Sequence, residues 1–170
     1  EARQAGDQGG TELVNQMTVL RSEVQELRGQ IEQLQQQLEQ ALTELWEQRI
    51  SFNQLLGLKV LSLKAGDVRV RLDMRPELVG HYAYNRIHGG VISAGLDAMG
   101  GLAVMAAIGA RHMDETPEQR LHRFARLGTI DLRVDYLRPG IGSHFELRAE
   151  VLRLGSRVAT TRMEFFGPDG

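Results

Sequence analysis

A heptad repeat of apolar residues dominates the N-terminal part of the chain. Apolar residues recur alternately four and three positions apart between residues 13 and 38, with Gln, Glu and Arg between them. The repeat consists of Leu13, Met17, Leu20, Val24, Leu27, Ile31, Leu34 and Leu38. This narrow stripe predicts a long helix that associates with other helices as a coiled coil. The β-branched Val24 and Ile31 share one seam position and leucines hold the other, which favours a parallel pair of helices.

The spacing of the repeat changes around Leu38, which is followed by Leu42 four residues later. Two successive steps of four are a phase shift, and we expect the helix to exchange a sister helix for the body of the domain there. The resulting division is a polar, disordered lead-in over residues 1–12 and a coiled-coil helix over residues 13–50. A helix that packs on its own domain is the alternative for this segment.

The remainder of the chain has the patterns of a folded domain. Residues 51–57 predict a short helix closed by a glycine, and two alternating runs separated by a turn at residues 65–67 predict an antiparallel hairpin. A loop is expected over residues 75–87. Residues 88–107 are almost uncharged and are small or apolar on all sides, which is typical of a buried helix.

Three further strand-like runs follow the buried helix, at residues 130–136, 145–151 and 157–165. A single helix wrapped by an antiparallel sheet is an α+β arrangement, and we expect residues 51–170 to form it. The Gly-Pro-Asp-Gly sequence at residues 167–170 is a turn signal, from which we expect that this domain lacks its last strand.

Composition narrows the classes of function. The chain has 170 residues, a formal net charge of −2 and 5% aromatic residues, which argues against general nucleic-acid binding. It contains no cysteine, which excludes disulfides and thiolate ligands and is compatible with the cytoplasmic location that we expect. The histidines lack the spacing of metal ligands, so no metal is expected. No stretch reaches the roughly 18–20 unbroken apolar residues of a membrane span.

The start of the buried helix carries candidate chemistry in the triplet His88-Gly89-Gly90. The first N–H groups of a helix have no intrahelical partner and lie at the positive end of the helix dipole. Glycines let the carbonyl group of a ligand approach the backbone closely. The triplet therefore predicts an oxyanion site for acyl transfer.

Asp97 is the one charged residue inside this apolar helix. Carboxylates are seldom buried unless they are paired or functional, so Asp97 is either a catalytic group or an acid held by the backbone or an arginine. Gly89 and Asp97 are separated by about 12 Å on one straight helix, at about 1.5 Å per residue. One carbonyl carbon cannot touch both, so a shared reaction requires Asp97 from a neighbouring subunit whose helix runs antiparallel.

These motifs together resemble a known family. The residues that carry the resemblance are His88-Gly89-Gly90, Asp97, Thr129-Ile130-Asp131-Leu132 and Tyr136-Leu137-Arg138-Pro139-Gly140. In type and spacing they are similar to the phenylacetate-degradation (PaaI-like) thioesterases, which have the hotdog fold. The resemblance covers residues 51–170.

The resemblance implies an acyl-CoA thioesterase in which coenzyme A enters only as part of the substrate and no cofactor is needed. It implies that the Gly89 N–H polarises the thioester carbonyl and that Asp97 of the partner subunit attacks it or activates water. Thr129 would help to position Asp97 or the water, and His88 is expected to shape the helix start rather than to transfer protons. A homodimer or tetramer with active sites at the subunit interface is implied as well.

Substrate-binding positions are expected around this centre. Many members of the family carry an asparagine six residues before the histidine, where this chain has Tyr82. Asn85 and Gly90 are polar or small candidates nearby, and with Tyr82 they are expected to bind substrate. Arg138 and Arg157 lie near strand ends and turns, where arginine would bind the phosphates of coenzyme A well.

The alternative function is a non-catalytic module that binds acyl-CoA or lipid, with the coiled coil as its interaction element. The departure at Tyr82 supports this alternative. The retention of Asp97 and Thr129 argues against it, because a pure binder has little reason to bury an unpaired acid.

Overall fold

The computed structural model describes residues 2–64 and 66–170, and of residues 2–9 it describes the backbone alone. Four α-helices are formed: α1 (Ala2–Glu44), α2 (Ser51–Leu56), α3 (Gly89–Arg111) and α4 (Pro117–Phe124). Six strands are formed: β1 (Leu58–Lys64), β2 (Asp67–Asp73), β3 (Val79–His81), β4 (Arg86–Ile87), β5 (His144–Leu154) and β6 (Ala159–Phe166). The chain divides into two compact units, one ending at Gln36 and the other comprising Gln37–Gly170.

The first unit is the greater part of α1. The helix is continuous from Ala2, so it includes most of the segment for which a disordered lead-in was expected. From Leu13 to Ile31 the apolar seam is exposed to solvent in this single chain, from 46% at Ile31 to 62% at Leu13. These side chains are therefore not stabilised by burial within their own chain, and they remain accessible to another molecule.

The second unit begins earlier than residue 51, because the end of α1 belongs to its core. Leu38, Leu42 and Trp46 are at most 5% exposed. Residues Leu45–Arg49 form one turn of π-helix, and the Asn53 side chain donates a hydrogen bond to the carbonyl of Trp46 at 3.0 Å. The change of apolar spacing at Leu38 thus coincides with the change from exposed to buried side chains.

The main sheet is antiparallel, with strand order β1-β2-β5-β6. Along its strands, large apolar residues on the inner face alternate with more exposed polar residues on the outer face. On the inner face, Val70 pairs with Leu147, which pairs with Phe165. α3 lies across this face, and a Cβ on Gly95 would come 2.8 Å from Leu147 Cδ2. The predicted short helix, hairpin, central helix and last two strands are therefore confirmed, and the α+β fold with them.

α3 is long and apolar enough to cross a membrane by length and composition alone. In this fold it is the central helix of the second unit, and Met99 and Leu102 are fully buried in its core. Packing of this kind accounts for its apolar character without a membrane.

The strand predicted over residues 130–136 is not formed, and this expectation is wrong. The segment is extended and alternates half-buried with exposed residues, yet its backbone forms no ladder with a described strand. A groove of about 730 Å³ lies between residues 133–141, β6 and the side chains of Ile92 and Leu96 on α3. The groove separates the segment from β6, whereas ladder hydrogen bonds require strands about 4.8 Å apart.

Candidate active site

Among the residues that the structure describes, one backbone N–H group in the first turn of α3 is without a partner. His88 is the N-cap, and its Nδ1 accepts a hydrogen bond from the Gly90 N–H at 2.8 Å. The His88 carbonyl accepts from the N–H groups of Val91, at 2.9 Å, and Ile92, at 3.3 Å. The Gly89 N–H has no partner among the residues that the structure describes. It lies at the positive end of the helix dipole, where a carbonyl oxygen that gains charge is stabilised.

Neighbouring side chains explain why both residues after His88 are glycines. A Cβ on Gly89 would lie 3.3 Å from Cε1 of Tyr136, and a Cβ on Gly90 would lie 2.9 Å from Nδ1 of His88. His88 is itself fixed by the loop before β3, because its N–H donates to the carbonyl of Leu78 at 2.8 Å. The helix start is thus built closely around the two glycines.

Asp97 lies two turns further along α3 and is half-buried, not buried as the sequence suggested. Thr129 Oγ1 donates a hydrogen bond to Asp97 Oδ1 at 2.6 Å. The structure therefore brings together Asp97 and the Thr predicted to assist it, within a single chain. The bond orients the carboxylate, and its other oxygen, Oδ2, has no hydrogen-bond partner among the described residues.

The face of α3 that carries Asp97 is only partly covered by its own unit. Ala94, Ala98 and Met105 on this face are half-buried, and a Cβ on Gly101 would meet no atom within 4 Å. A face of small residues permits the close approach of a second helix.

Tyr82 and Asn85 lie in the exposed turn between β3 and β4. Tyr82 is 95% exposed, and its ring stacks on that of His81 with the centroids 5.7 Å apart. Asn85 has a φ of 47°, a left-handed conformation that asparagine adopts more readily than most residues. The conformation of the turn therefore explains why an asparagine stands at position 85. Substrate binding by Tyr82, Asn85 and Gly90 stays a prediction.

Arg138 and Arg157 are both exposed. Arg157 lies in the turn between β5 and β6, and Arg138 follows the extended segment that contains Thr129 and Tyr136. Neither position is brought to Gly89 or Asp97 by a described contact, so phosphate binding by these arginines stays a prediction.

Sequence reasoning missed the contact between Tyr136 and Gly89. The Tyr136 hydroxyl donates a hydrogen bond to the Gly89 carbonyl at 3.0 Å. The alternation of residues 130–136 places Tyr136 on the same side as Ile130, Leu132 and Val134. This pattern indicated the side of the segment on which the ring lies, but not its partner.

Known proteins resemble this chain over the region just described. A family model for the thioesterase superfamily matches residues 84–170, which contain α3, Asp97 and Thr129. The medium/long-chain acyl-CoA thioesterase YigI of Salmonella typhimurium is 37% identical over 126 residues, covering 74% of this chain and 81% of that protein.

The chain belongs to the thioesterase superfamily.

Solved structures of this superfamily share the fold. A thioesterase-superfamily protein from Shewanella oneidensis has a TM-score of 0.74 and 39% identity, covering 81% of this chain and 90% of that chain. The phenylacetic acid degradation protein PaaI from Thermus thermophilus has a TM-score of 0.53 and 28% identity, covering 69% of this chain and 87% of that chain. The resemblance to PaaI-like hotdog thioesterases is thereby confirmed.

The helical N-terminal part of this thioesterase-superfamily chain has a different match. A family model for the TolA binding protein trimerisation region matches residues 1–57. This match supports the coiled-coil character of α1, which the heptad repeat predicted.

Proposed function

We propose that this protein is a thioesterase that hydrolyses medium- or long-chain acyl-CoA to a free acid and coenzyme A. The observation that carries the proposal is the start of α3, where the Gly89 N–H, alone among the first-turn N–H groups, has no partner in the described part of the chain and is free to meet a ligand. Relatives named as medium/long-chain acyl-CoA thioesterases support the choice of substrate class.

The thioester carbonyl oxygen would accept a hydrogen bond from the Gly89 N–H. Asp97 of a second copy would take a proton from water while the water oxygen bonds to the carbonyl carbon. The negative charge then develops on the oxygen at the helix start. The carbon–sulfur bond breaks, coenzyme A leaves as a thiolate, and the proton held by Asp97 neutralises it. Direct attack by the carboxylate, followed by hydrolysis of the anhydride, is the other course open to Asp97.

The reaction requires two copies because both groups lie on α3. Asp97 stands about 12 Å from Gly89 along the helix, at about 1.5 Å per residue. The partly exposed face around Gly101 would let a second α3 approach in the antiparallel sense. A two-fold axis between the helices would create two identical sites, each with Gly89 from one copy and Asp97 from the other.

This reaction needs no metal or redox cofactor as written. The absence of a metal or redox cofactor and the cytoplasmic location both stay predictions.

The test is release of coenzyme A from short-, medium-, long-chain and aromatic acyl-CoAs by the wild type and by Asp97→Asn. Loss of a general base typically lowers turnover by about 10²–10⁴-fold, and we expect Asp97→Asn to lose at least about 100-fold. Asp114→Asn, at an exposed position after α3, is the matched control and should behave as the wild type.

Near-normal turnover by Asp97→Asn would contradict the mechanism. A wild type that binds acyl-CoA and hydrolyses none of the panel would favour the alternative, a non-catalytic acyl-CoA or lipid-binding module.

For the N-terminal helix we propose self-association through the exposed seam of α1, which would add to the dimer or tetramer of the folded unit. The matched trimerisation family supports three strands, whereas the pattern of Val24 and Ile31 favours two. Removing residues 1–36 tests this without touching Leu38, Leu42 and Trp46, which are core residues. We expect light scattering to show that the shortened protein contains fewer copies than the full chain. An unchanged number of copies would contradict the proposal.

A further inference from the structure

Tyr136 contacts the reacting end of α3 in two ways. Its hydroxyl donates to the Gly89 carbonyl at 3.0 Å, and its ring atom Cε1 lies 3.3 Å from the place of a Gly89 Cβ. Tyr136 is nevertheless 56% exposed. A side chain with so much exposed surface contributes little to the core of the single chain, so its two contacts with Gly89 stand out.

The helix start needs such a contact because two adjacent glycines form it. Glycine has more backbone freedom than any other residue, and a displaced Gly89 would turn its N–H away from the carbonyl that it must meet. His88 restrains the second glycine through the Gly90 N–H. Tyr136 holds the other end of the same peptide group, the Gly89 carbonyl. This peptide is joined through the Gly89 Cα to the Gly89 N–H, so holding it limits the rotation of Gly89 that would turn the N–H away.

Thr129 and Tyr136 lie on one extended segment. Thr129 holds the carboxylate of Asp97, and Tyr136 holds Gly89. The segment therefore contacts α3 at both groups to which the proposed function gives a chemical role.

We infer that Tyr136 is a positioning residue of the thioesterase site, which aligns the Gly89 N–H by holding the Gly89 carbonyl. This inference rests on the proposed function. It assigns Tyr136 no contact with the reacting atoms.

Tyr136→Phe tests the inference, since it removes the hydroxyl and keeps the ring. The loss of one hydrogen bond that aligns the oxyanion donor should lower kcat about fivefold to tenfold and leave KM nearly unchanged. Tyr84→Phe is the matched control, because Tyr84 is 58% exposed and its hydroxyl makes no hydrogen bond with a described residue. An equal kcat in Tyr136→Phe and Tyr84→Phe overturns the inference.

A double-mutant cycle separates positioning from a general structural effect. Gly89→Pro removes the N–H that Tyr136 is inferred to align. In that background Tyr136→Phe should cause no further loss, because nothing remains to be aligned. A full additional fivefold loss in the Gly89→Pro background would show that Tyr136 acts elsewhere and would overturn the inference.

Amide hydrogen exchange over residues 89–93 does not depend on activity, so it tests the inference separately from the proposed function. If the wild type hydrolyses no acyl-CoA, the proposed function fails, but the contact can still be judged. Faster exchange of the first turn in Tyr136→Phe than in Tyr84→Phe supports a restraint on the helix start. Equal exchange in the two variants overturns it.

Discussion

The two groups of the proposed mechanism, Gly89 and Asp97, lie on the same helix of each chain, and their surroundings differ. At the first turn of α3, the residues around Gly89 are held on both sides by the chain itself, through His88 and Tyr136. Two turns later, Asp97 has one described partner, Thr129, and the helix face around it is partly uncovered. The oxyanion end is therefore complete within one chain, whereas the carboxylate end has room for a second chain.

The difference has a chemical meaning. Stabilisation of a developing oxyanion depends on a donor that is already in place when the charge forms. A general base needs instead a free oxygen atom that can reach the substrate, and Asp97 keeps Oδ2 for this purpose. Each end thus has the environment that its proposed role requires.

Among the variants of the helix start and its supporting residues, Gly89→Pro should have the largest effect, because it removes the proposed oxyanion donor while preserving a helix start. Gly89 is the first residue of α3, a position at which proline is favoured, and His88 has the extended φ of −67° and ψ of 134° that a residue before proline adopts. Loss of one such donor costs about 10²–10³-fold in kcat. Circular dichroism would verify the fold, and coenzyme A release would give kcat.

Gly89→Ala is the control for this variant. It introduces the same close contact between a Cβ and the Tyr136 ring, at 3.3 Å, but retains the N–H. If Gly89→Ala is as inactive as Gly89→Pro, the contact and not the lost donor is responsible.

A mixed dimer of Gly89→Pro and Asp97→Asn tests whether one site uses both copies. Each parent dimer has two defective sites. In the mixed dimer, one site combines an intact Gly89 with an intact Asp97, so about half of the wild-type activity should return. Two different affinity tags would allow purification of the mixed species, and the absence of any recovery would place both groups of each site in one chain.

The sequence predicted the elements whose formation depends on local signals. Gly57 ends α2 in a left-handed conformation with a φ of 73°, and the uncharged run after His88 forms the central helix. Thr129 was predicted beside Asp97 through the family resemblance, and the hydrogen bond of 2.6 Å between them agrees with that prediction.

The features that the sequence did not reveal depend on contacts with residues that are distant in the chain. The alternation of residues 130–136 indicates which side faces inward, but it does not say whether another strand lies within hydrogen-bonding distance. Leu38 and Trp46 are a similar case. Their spacing predicts an apolar face of a helix, but it does not indicate which part of the molecule packs on that face. The hydrogen bond from Tyr136 to Gly89 joins residues distant in sequence, so no local pattern could predict it.

Thr129→Val should have an intermediate effect, because it removes the one described partner of Asp97 and keeps the shape of the side chain. A hydrogen bond to a charged group is worth about 1.5–3 kcal/mol, so kcat should fall about tenfold or more. Thr129→Ser retains a hydroxyl and should recover most of the activity. Wild-type kinetics in Thr129→Val would show that Asp97 is oriented without Thr129.

Substitution of His88 should have the smallest effect and distinguishes a cap from a proton carrier. His88→Ala removes the acceptor for the Gly90 N–H and should cost about 1 kcal/mol of unfolding free energy, as lost N-caps usually do, with a modest loss of turnover. Asparagine is among the preferred N-cap residues, so His88→Asn should restore both the stability and most of the activity. Chemical denaturation and coenzyme A release measure the two quantities. If His88→Asn is stable but as slow as His88→Ala, the imidazole contributes more than a cap, and the oxyanion end of the site would contain a second reacting group.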